Sequence, residues 1–194
     1  MSLSLFRRAI RQSVPALLVS SMTLVAFSTP ARAQDVMTKE SAAVVKAAYL
    51  ADLEAMRVKF VGLAEAFPQD KYTWRPMEGV RSPSEVLMLI ASEGYGYAPT
   101  VLGGKPAMPR DEIGKLSTIT DKAQVIDHLN KGFAYAKKEI EAIDPATLTG
   151  KRKAGNSERT VAESVLAVTG DMHEHLGQMI AYARTNHIVP PWSK

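Results

Sequence analysis

Asp171 and His175 stand four residues apart, and their types and spacing could hold a metal ion. On a helix, residues with this spacing lie one turn apart on the same face, so a carboxylate and an imidazole there can reach one ion. The surrounding apolar repeat puts His175 at the edge of a buried stripe, with Gln178 on the same edge and His173 on the opposite flank. A hydrogen-bonded Asp–His pair without metal explains the same spacing.

A second carboxylate falls inside the apolar stripe of an earlier helical segment. Glu93 projects between Leu89 and Ile90, so it should face the interior of the fold. Burying a lone carboxylate is costly, and Glu93 therefore needs a cation, a histidine or a metal ion beside it. The alternative is a helix tilted so that Glu93 stays in water.

Four segments with helical periodicity must position these side chains. They cover approximately residues 38–67, 82–97, 120–143 and 160–186, and the second and fourth begin with capping-box patterns. The pattern predicts no strand, a long connection over residues 100–119 and a solvated loop at residues 151–153. The expected fold class is all-α, because a four-helix bundle is the simplest way to bury four apolar stripes. Six residues are expected to share its core: Leu53, Phe60, Leu129, Phe133, Leu176 and Met179.

The first 33 residues have the pattern of an export signal. Arginines at positions 7, 8 and 11 precede an apolar stretch, and Ala31 and Ala33 supply the small residues that a signal peptidase reads. We expect cleavage after Ala33 and one domain over residues 34–194, either periplasmic or secreted. No later segment is apolar enough for a membrane span, so cleavage should leave no stable anchor. An uncleaved N-terminal anchor is the alternative.

Composition excludes several classes of function. Four of the 24 basic residues lie in the first 33 residues, which leaves 20 to balance the 20 acidic ones. That balance provides no basic face for nucleic acid. The absence of cysteine excludes disulfides, a thiolate zinc site and a cysteine nucleophile.

The C-terminal part of the chain carries a distinctive run of residues. Residues 173–184 read His-Glu-His-Leu-Gly-Gln-Met-Ile-Ala-Tyr-Ala-Arg, and Asn186 and a Val-Pro-Pro-Trp run at 189–192 follow. With Tyr-Thr-Trp-Arg-Pro at 72–76 and Glu-Gly-Val-Arg-Ser at 78–82, this pattern resembles the small exported members of the DinB/YfiT-like superfamily. The resemblance implies a four-helix bundle and, in many members, one divalent metal held by three histidines. Two of these form a His-xxx-His pair on the fourth helix, and the third lies on the second helix.

Only one of these three histidines stands at its family position in this chain. His175 matches the last member of the pair, Asp171 replaces the earlier one, and Leu89 replaces the histidine of the second helix. Glu93 follows Leu89 by one turn and would complete a set of oxygen and nitrogen ligands suited to zinc, manganese or iron. With the metal position that the resemblance implies, we expect Glu93 near His175, either as a further metal ligand or, without metal, in a direct pair. His173 would contribute only if the fourth helix were rotated. A bundle that has lost its metal is the alternative.

Three functions remain open from the sequence. The first is an exported DinB-like bundle with a degenerate metal site that binds a small molecule or a partner, its substrate unknown. The second is a divalent-metal-dependent enzyme that uses Asp171, His175 and Glu93. The resemblance favours thiol-dependent transfer as its chemistry, and hydrolysis is the alternative. The third is a homodimer held by apolar helix faces, in a structural role.

Overall fold

The computed structural model of this chain describes residues 37–154 and 157–193. The predicted export signal and its cleavage site lie outside these residues. No helix in the described ranges is long and apolar enough to cross a membrane.

The described residues are mostly helical, and the four predicted helices begin where the sequence places them, whereas a short helix over Arg110–Lys115 lies inside the predicted connection. In chain order, α1 covers Lys39–Ala66, α2 Pro83–Ser92, α3 Ala98–Val101, α4 Arg110–Lys115, α5 Lys122–Glu141 and α6 Val161–Thr185. The side chains of Thr38 and Asp121 accept hydrogen bonds from backbone N–H groups in the first turns of α1 and α5. Complete capping boxes start α2 and α6 at Ser82 and Thr160. These side chains satisfy N–H groups that lack partners inside a helix.

The long helices pack as a bundle around one hydrophobic core. Helices α1 and α2 both pack against α5 and α6. The prediction of a shared core is confirmed, because all six expected residues are at most 5% exposed and belong to the same buried cluster. Lysines join α1 and α5 at both ends: Lys46 Nζ donates to the backbone carbonyls of Glu141 and Ile143, and Lys122 Nζ donates to those of Glu65 and Phe67. Each lysine places a cation at the negative end of a helix dipole.

The second helical segment is longer than predicted and changes its geometry along the way. A π-turn over Glu93–Tyr97 follows α2, and α3 then continues to Val101. Pro99 does not end the segment, since it lies in the first turn of α3, where a missing N–H is tolerated. Tyr97, the last residue of the predicted segment, is 40% exposed because the wider turn shifts the helical register.

The prediction of no strand is wrong for one short segment. Strands β1, Lys151–Ala154, and β2, Ser157–Thr160, pair antiparallel just before α6. The basic residues 151–153 therefore form a strand and not the solvated loop that we expected. Arg152 is half-buried and donates to the backbone carbonyl of Leu102, which ties the hairpin to the end of α3. The strand sequences are short and strongly polar, so they lack the alternation of apolar residues that would reveal them.

Candidate metal centre

Helix α6 and the π-turn bring three ligand-type side chains together. Asp171 and His175 lie one turn apart on α6, and Glu93 begins the π-turn after α2. One potential ligand atom from each of the three lies within 4.8 Å of the other two. All three side chains are partly buried. The sequence named the same three residues, and the structure places them within reach of one ion.

Tight backbone packing fixes the position of Glu93. The next residue, Gly94, lies against the backbone of Gly132 on α5, and a methyl group added at Gly94 would overlap the Gly132 carbonyl. A methyl group at Gly132 would in turn lie 2.7 Å from the carbonyl oxygen of Ala91. Glycine is required at such an approach because any larger side chain would force the two helices apart. Single π-turns are common at functional sites, and this one aims a carboxylate at α6.

The two carboxylates of the site lack hydrogen-bond donors. Glu93 Oε2 and Asp171 Oδ2 are both buried and have no hydrogen-bond partner among the described residues. Two ionised carboxylates can only accept, so they can bond to each other only if one keeps a proton. Burial, followed by the neighbouring Asp171, raises the pKa of Glu93 to about 9. At neutral pH the metal-free site therefore carries a proton on Glu93, in the place where a cation would satisfy both groups.

A chain of hydrogen bonds fixes the orientation of His175. Tyr182 donates its hydroxyl hydrogen to the backbone carbonyl of Arg81 at 2.9 Å, and its oxygen accepts from Gln178 Nε2 at 2.7 Å. The amide oxygen of Gln178 then lies 2.9 Å from His175 Nδ1. Because the Arg81 carbonyl can only accept, the direction of the chain requires Nδ1 of His175 to donate. In neutral His175, Nε2 is left with a lone pair and lies 3.7 Å from Asp171 Oδ2, facing the site.

The structure corrects the expectation of a direct pair between His175 and Glu93, and it excludes His173 and Leu89 from the site. His175 does not pair directly with Glu93, because Gln178 bonds to its Nδ1 and Asp171 lies beside its Nε2. His173 faces away, and its Nε2 lies 3.0 Å from Asp52 Oδ1 on α1. Leu89 is half-buried and cannot act as a ligand.

An open cleft of about 410 Å³ borders the site at Glu93. One wall comes from residues 92–100, which run through the π-turn and α3, and the other from residues 106–114, which include most of α4. The long connection predicted over residues 100–119 therefore supplies one wall of this cleft.

The model of the DinB superfamily matches residues 52–179 of this chain. The match spans about two thirds of the sequence and includes Glu93, Asp171 and His175, so the chain belongs to the DinB superfamily. No curated protein matches the chain in sequence. Relative to the three histidines that the family resemblance implies, this chain has two carboxylates and one histidine.

Two features of the site were not predicted from the sequence. The first is the row behind His175, since the helical pattern put Gln178 on the polar edge without a partner and did not distinguish Tyr182. The spacing of His175, Gln178 and Tyr182 by three and four residues is the signal that could have revealed a hydrogen-bonded row along one helix face. The π-turn has no comparable local signal, although Gly94 and Gly96 mark the segment as unusual.

Proposed function

We propose that this domain binds one divalent cation through Glu93, Asp171 and His175 and that it is a metal-dependent enzyme. The observation that carries the proposal is a pair of buried carboxylate oxygens to which no other described residue donates, so that only a shared proton or a cation can join them, beside a histidine whose Nε2 lies 3.7 Å from Asp171. A divalent cation would satisfy both carboxylates and the imidazole at once and would balance the two negative charges. This favours a metal-binding domain over a bundle that has lost its metal.

The donor set supports a limited choice of metals. Two carboxylates and one imidazole form a mixed oxygen and nitrogen site, which suits manganese, iron(II) or zinc. Three protein ligands leave further positions for water or substrate, as in catalytic sites and unlike closed structural sites. The hydrogen-bonded row behind His175 has the arrangement expected behind a metal-bound histidine, where a partner on the other ring nitrogen fixes the tautomer.

The adjoining cleft supports a catalytic role at this centre. When bound, such an ion acts as a Lewis acid and makes a coordinated water or thiol more acidic. Within the chain, Gln178 and Tyr182 hold the His175 ring, and the π-turn holds Glu93 where the cleft meets the site. Thiol-dependent transfer and hydrolysis both fit this arrangement. The export pattern of the first 33 residues supports a location of this activity in the periplasm or outside the cell.

Metal titration of the purified protein tests the proposal. After removal of metals with a chelator, the wild type is titrated with Mn²⁺, Fe²⁺ and Zn²⁺ by calorimetry and equilibrium dialysis. His175→Ala should lose at least ~100-fold in affinity, or about 2.7 kcal/mol of binding free energy. The matched control is His173→Ala, which removes a histidine two residues away that faces Asp52 and should leave the affinity unchanged.

Two results would contradict the metal site. One is a wild type that binds none of the three ions more tightly than His175→Ala does. The other is an equal loss in His173→Ala, which would show that the protein binds metal through its surface histidines.

A further inference from the structure

The cleft beside Glu93 has an unusual distribution of polar groups. Two of its three hydroxyl side chains are already committed to their own helices, since Ser92 donates to the backbone carbonyl of Leu89 and Thr100 to that of Gly96. The charged residues among its lining are Glu93 on one wall and Arg110 on the other. Arg110 is exposed and has no ion pair or hydrogen bond within the described part of the chain. Its guanidinium is therefore available to a ligand.

Apart from the hydroxyl of Tyr97, the remaining lining of the cleft is apolar or small. It includes the aromatic ring of Tyr97 and the side chains of Pro106 and Ile113, with backbone exposed at Gly96 and Gly114. The volume of about 410 Å³ lies within the range of small-molecule sites, roughly 300–1,000 Å³. An apolar body with one anionic end would match this surface, because every charged or polar atom of a ligand needs a partner when it leaves water.

The wall that carries Arg110 is fixed to the π-turn and to α5. The backbone N–H of Ala107 donates to the carbonyl of Tyr95 at 2.8 Å, and the Tyr135 hydroxyl donates to the carbonyl of Lys105 at 3.1 Å. The two walls also approach closely at Gly96 and Ile113, because a methyl group added at Gly96 would lie 2.9 Å from Ile113 Cδ1. These contacts form the cleft before any ligand binds, which lowers the entropic cost of binding.

We propose that this cleft binds a small carboxylic acid with an apolar body. Its carboxylate pairs with Arg110, its body lies on Tyr97 and Ile113, and its far end reaches the centre at Glu93. A guanidinium suits this role because its donors match the two oxygens of a carboxylate. The contact of the far end with a bound ion rests on the function proposed above, whereas recognition by Arg110 does not.

Octanoate is the probe, with octanol and octylammonium as neutral and cationic analogues of the same chain length. Calorimetric titration should show octanoate binding to metal-free protein at least about tenfold more tightly than either analogue. Arg110→Gln should remove this preference, and Arg110→Lys should keep most of it. The matched control is Lys115→Gln, since Lys115 is a cation of the same short helix but pairs with Asp111 and is not among the cleft residues.

Two outcomes of these titrations would overturn the proposal. Octanoate and octanol could bind with equal affinity, which would show that the cleft selects no anion. Alternatively, Arg110→Gln and Lys115→Gln could weaken octanoate equally, which would show that only the net charge of the surface matters.

Protein loaded with Mn²⁺ tests the orientation of the ligand. Paramagnetic broadening of the octanoate NMR signals should be stronger for the terminal methyl group than for the methylene next to the carboxylate. The reverse gradient would overturn the proposal, because the carboxylate would then bind at the metal. If Mn²⁺ does not bind but octanoate binding still depends on Arg110, only the metal-based function fails. If Mn²⁺ binds and octanoate does not, the metal-based function stands and only carboxylate binding in the cleft is excluded.

Discussion

Two histidines on α6 lie two residues apart, and each faces a carboxylate, but in opposite surroundings. His173 Nε2 lies 3.0 and 3.1 Å from the two carboxylate oxygens of Asp52 on α1. The His173 and Asp52 side chains are 50% and 35% exposed, so water can reach both. An exposed pair of this kind contributes little to stability and needs no further ligand.

The histidine of the candidate metal centre is less exposed than His173. The side chain of His175 is 18% exposed, and the Asp171 and Glu93 carboxylates beside it each have a buried oxygen that no residue in the described ranges bonds to. The Asp171 and Asp52 side chains are similarly exposed, at 39% and 35%, so the difference lies in the less exposed histidine and in the second carboxylate, Glu93. Away from water, a second carboxylate adds a negative charge that only a proton or a cation can offset.

The largest effect that would distinguish the two regions is on stability as a function of pH. Because the pKa of Glu93 rises from 4.5 to about 9 on folding, the metal-free folded protein holds a proton that the unfolded chain releases at lower pH. The contribution of the protonated Glu93 side chain to folding stability is complete below about pH 4.5 and is lost as the pH rises through 9. Glu93→Gln should therefore reduce the fall of the free energy of unfolding with rising pH. It should stabilise the metal-free protein near pH 9 by about 1–3 kcal/mol.

Urea unfolding in chelator at several pH values between 5 and 9 measures this effect. Asp52→Asn, in the exposed pair, should keep the slope of the wild type. A Glu93→Gln protein that declines as steeply as the wild type would mean that Glu93 is not the group responsible.

A gain of metal affinity provides the next test. Leu89→His restores the histidine that the family resemblance implies on the second helix, one turn before Glu93. If Asp171 and His175 are ligands, this variant should bind Zn²⁺ or Mn²⁺ at least about tenfold more tightly, or ~1.4 kcal/mol in binding free energy. Equilibrium dialysis measures the gain. No gain would show that the half-buried Leu89 position cannot reach the centre.

The smallest expected effect lies behind His175. Tyr182→Phe keeps the ring that packs edge-on against Trp74 at 5.4 Å but removes the hydroxyl between Gln178 and the Arg81 carbonyl. Without that anchor Gln178 can turn, and His175 loses its fixed tautomer, so metal affinity should fall by up to about tenfold. Tyr95→Phe is the control, because the Tyr95 hydroxyl bonds to His128 away from the centre. Equal metal affinity in Tyr182→Phe and wild type would show that the hydrogen-bonded row does not support the ligand.

Local patterns predicted the helices well because caps and periodicity act over a few residues. The capping boxes at Ser82 and Thr160 form as expected, and Leu129 and Phe133 are buried on the predicted face of α5. The π-turn was missed for the opposite reason. It depends on the close approach of Gly94 to Gly132, which belongs to another helix, and no local propensity encodes that contact.

The sequence by itself determined that this chain forms four amphipathic helices and that Asp171 and His175 share one face of the last. Hydrogen bonds within a turn and the 3.6-residue repeat are sufficient for both conclusions. Placing Glu93 beside them required the family resemblance as well. Only the tertiary structure decided that Glu93 faces Asp171, that residues 106–114 wall the cleft and that Tyr182 reaches the Arg81 carbonyl. These contacts join residues far apart in the chain, and their geometry depends on how whole helices pack.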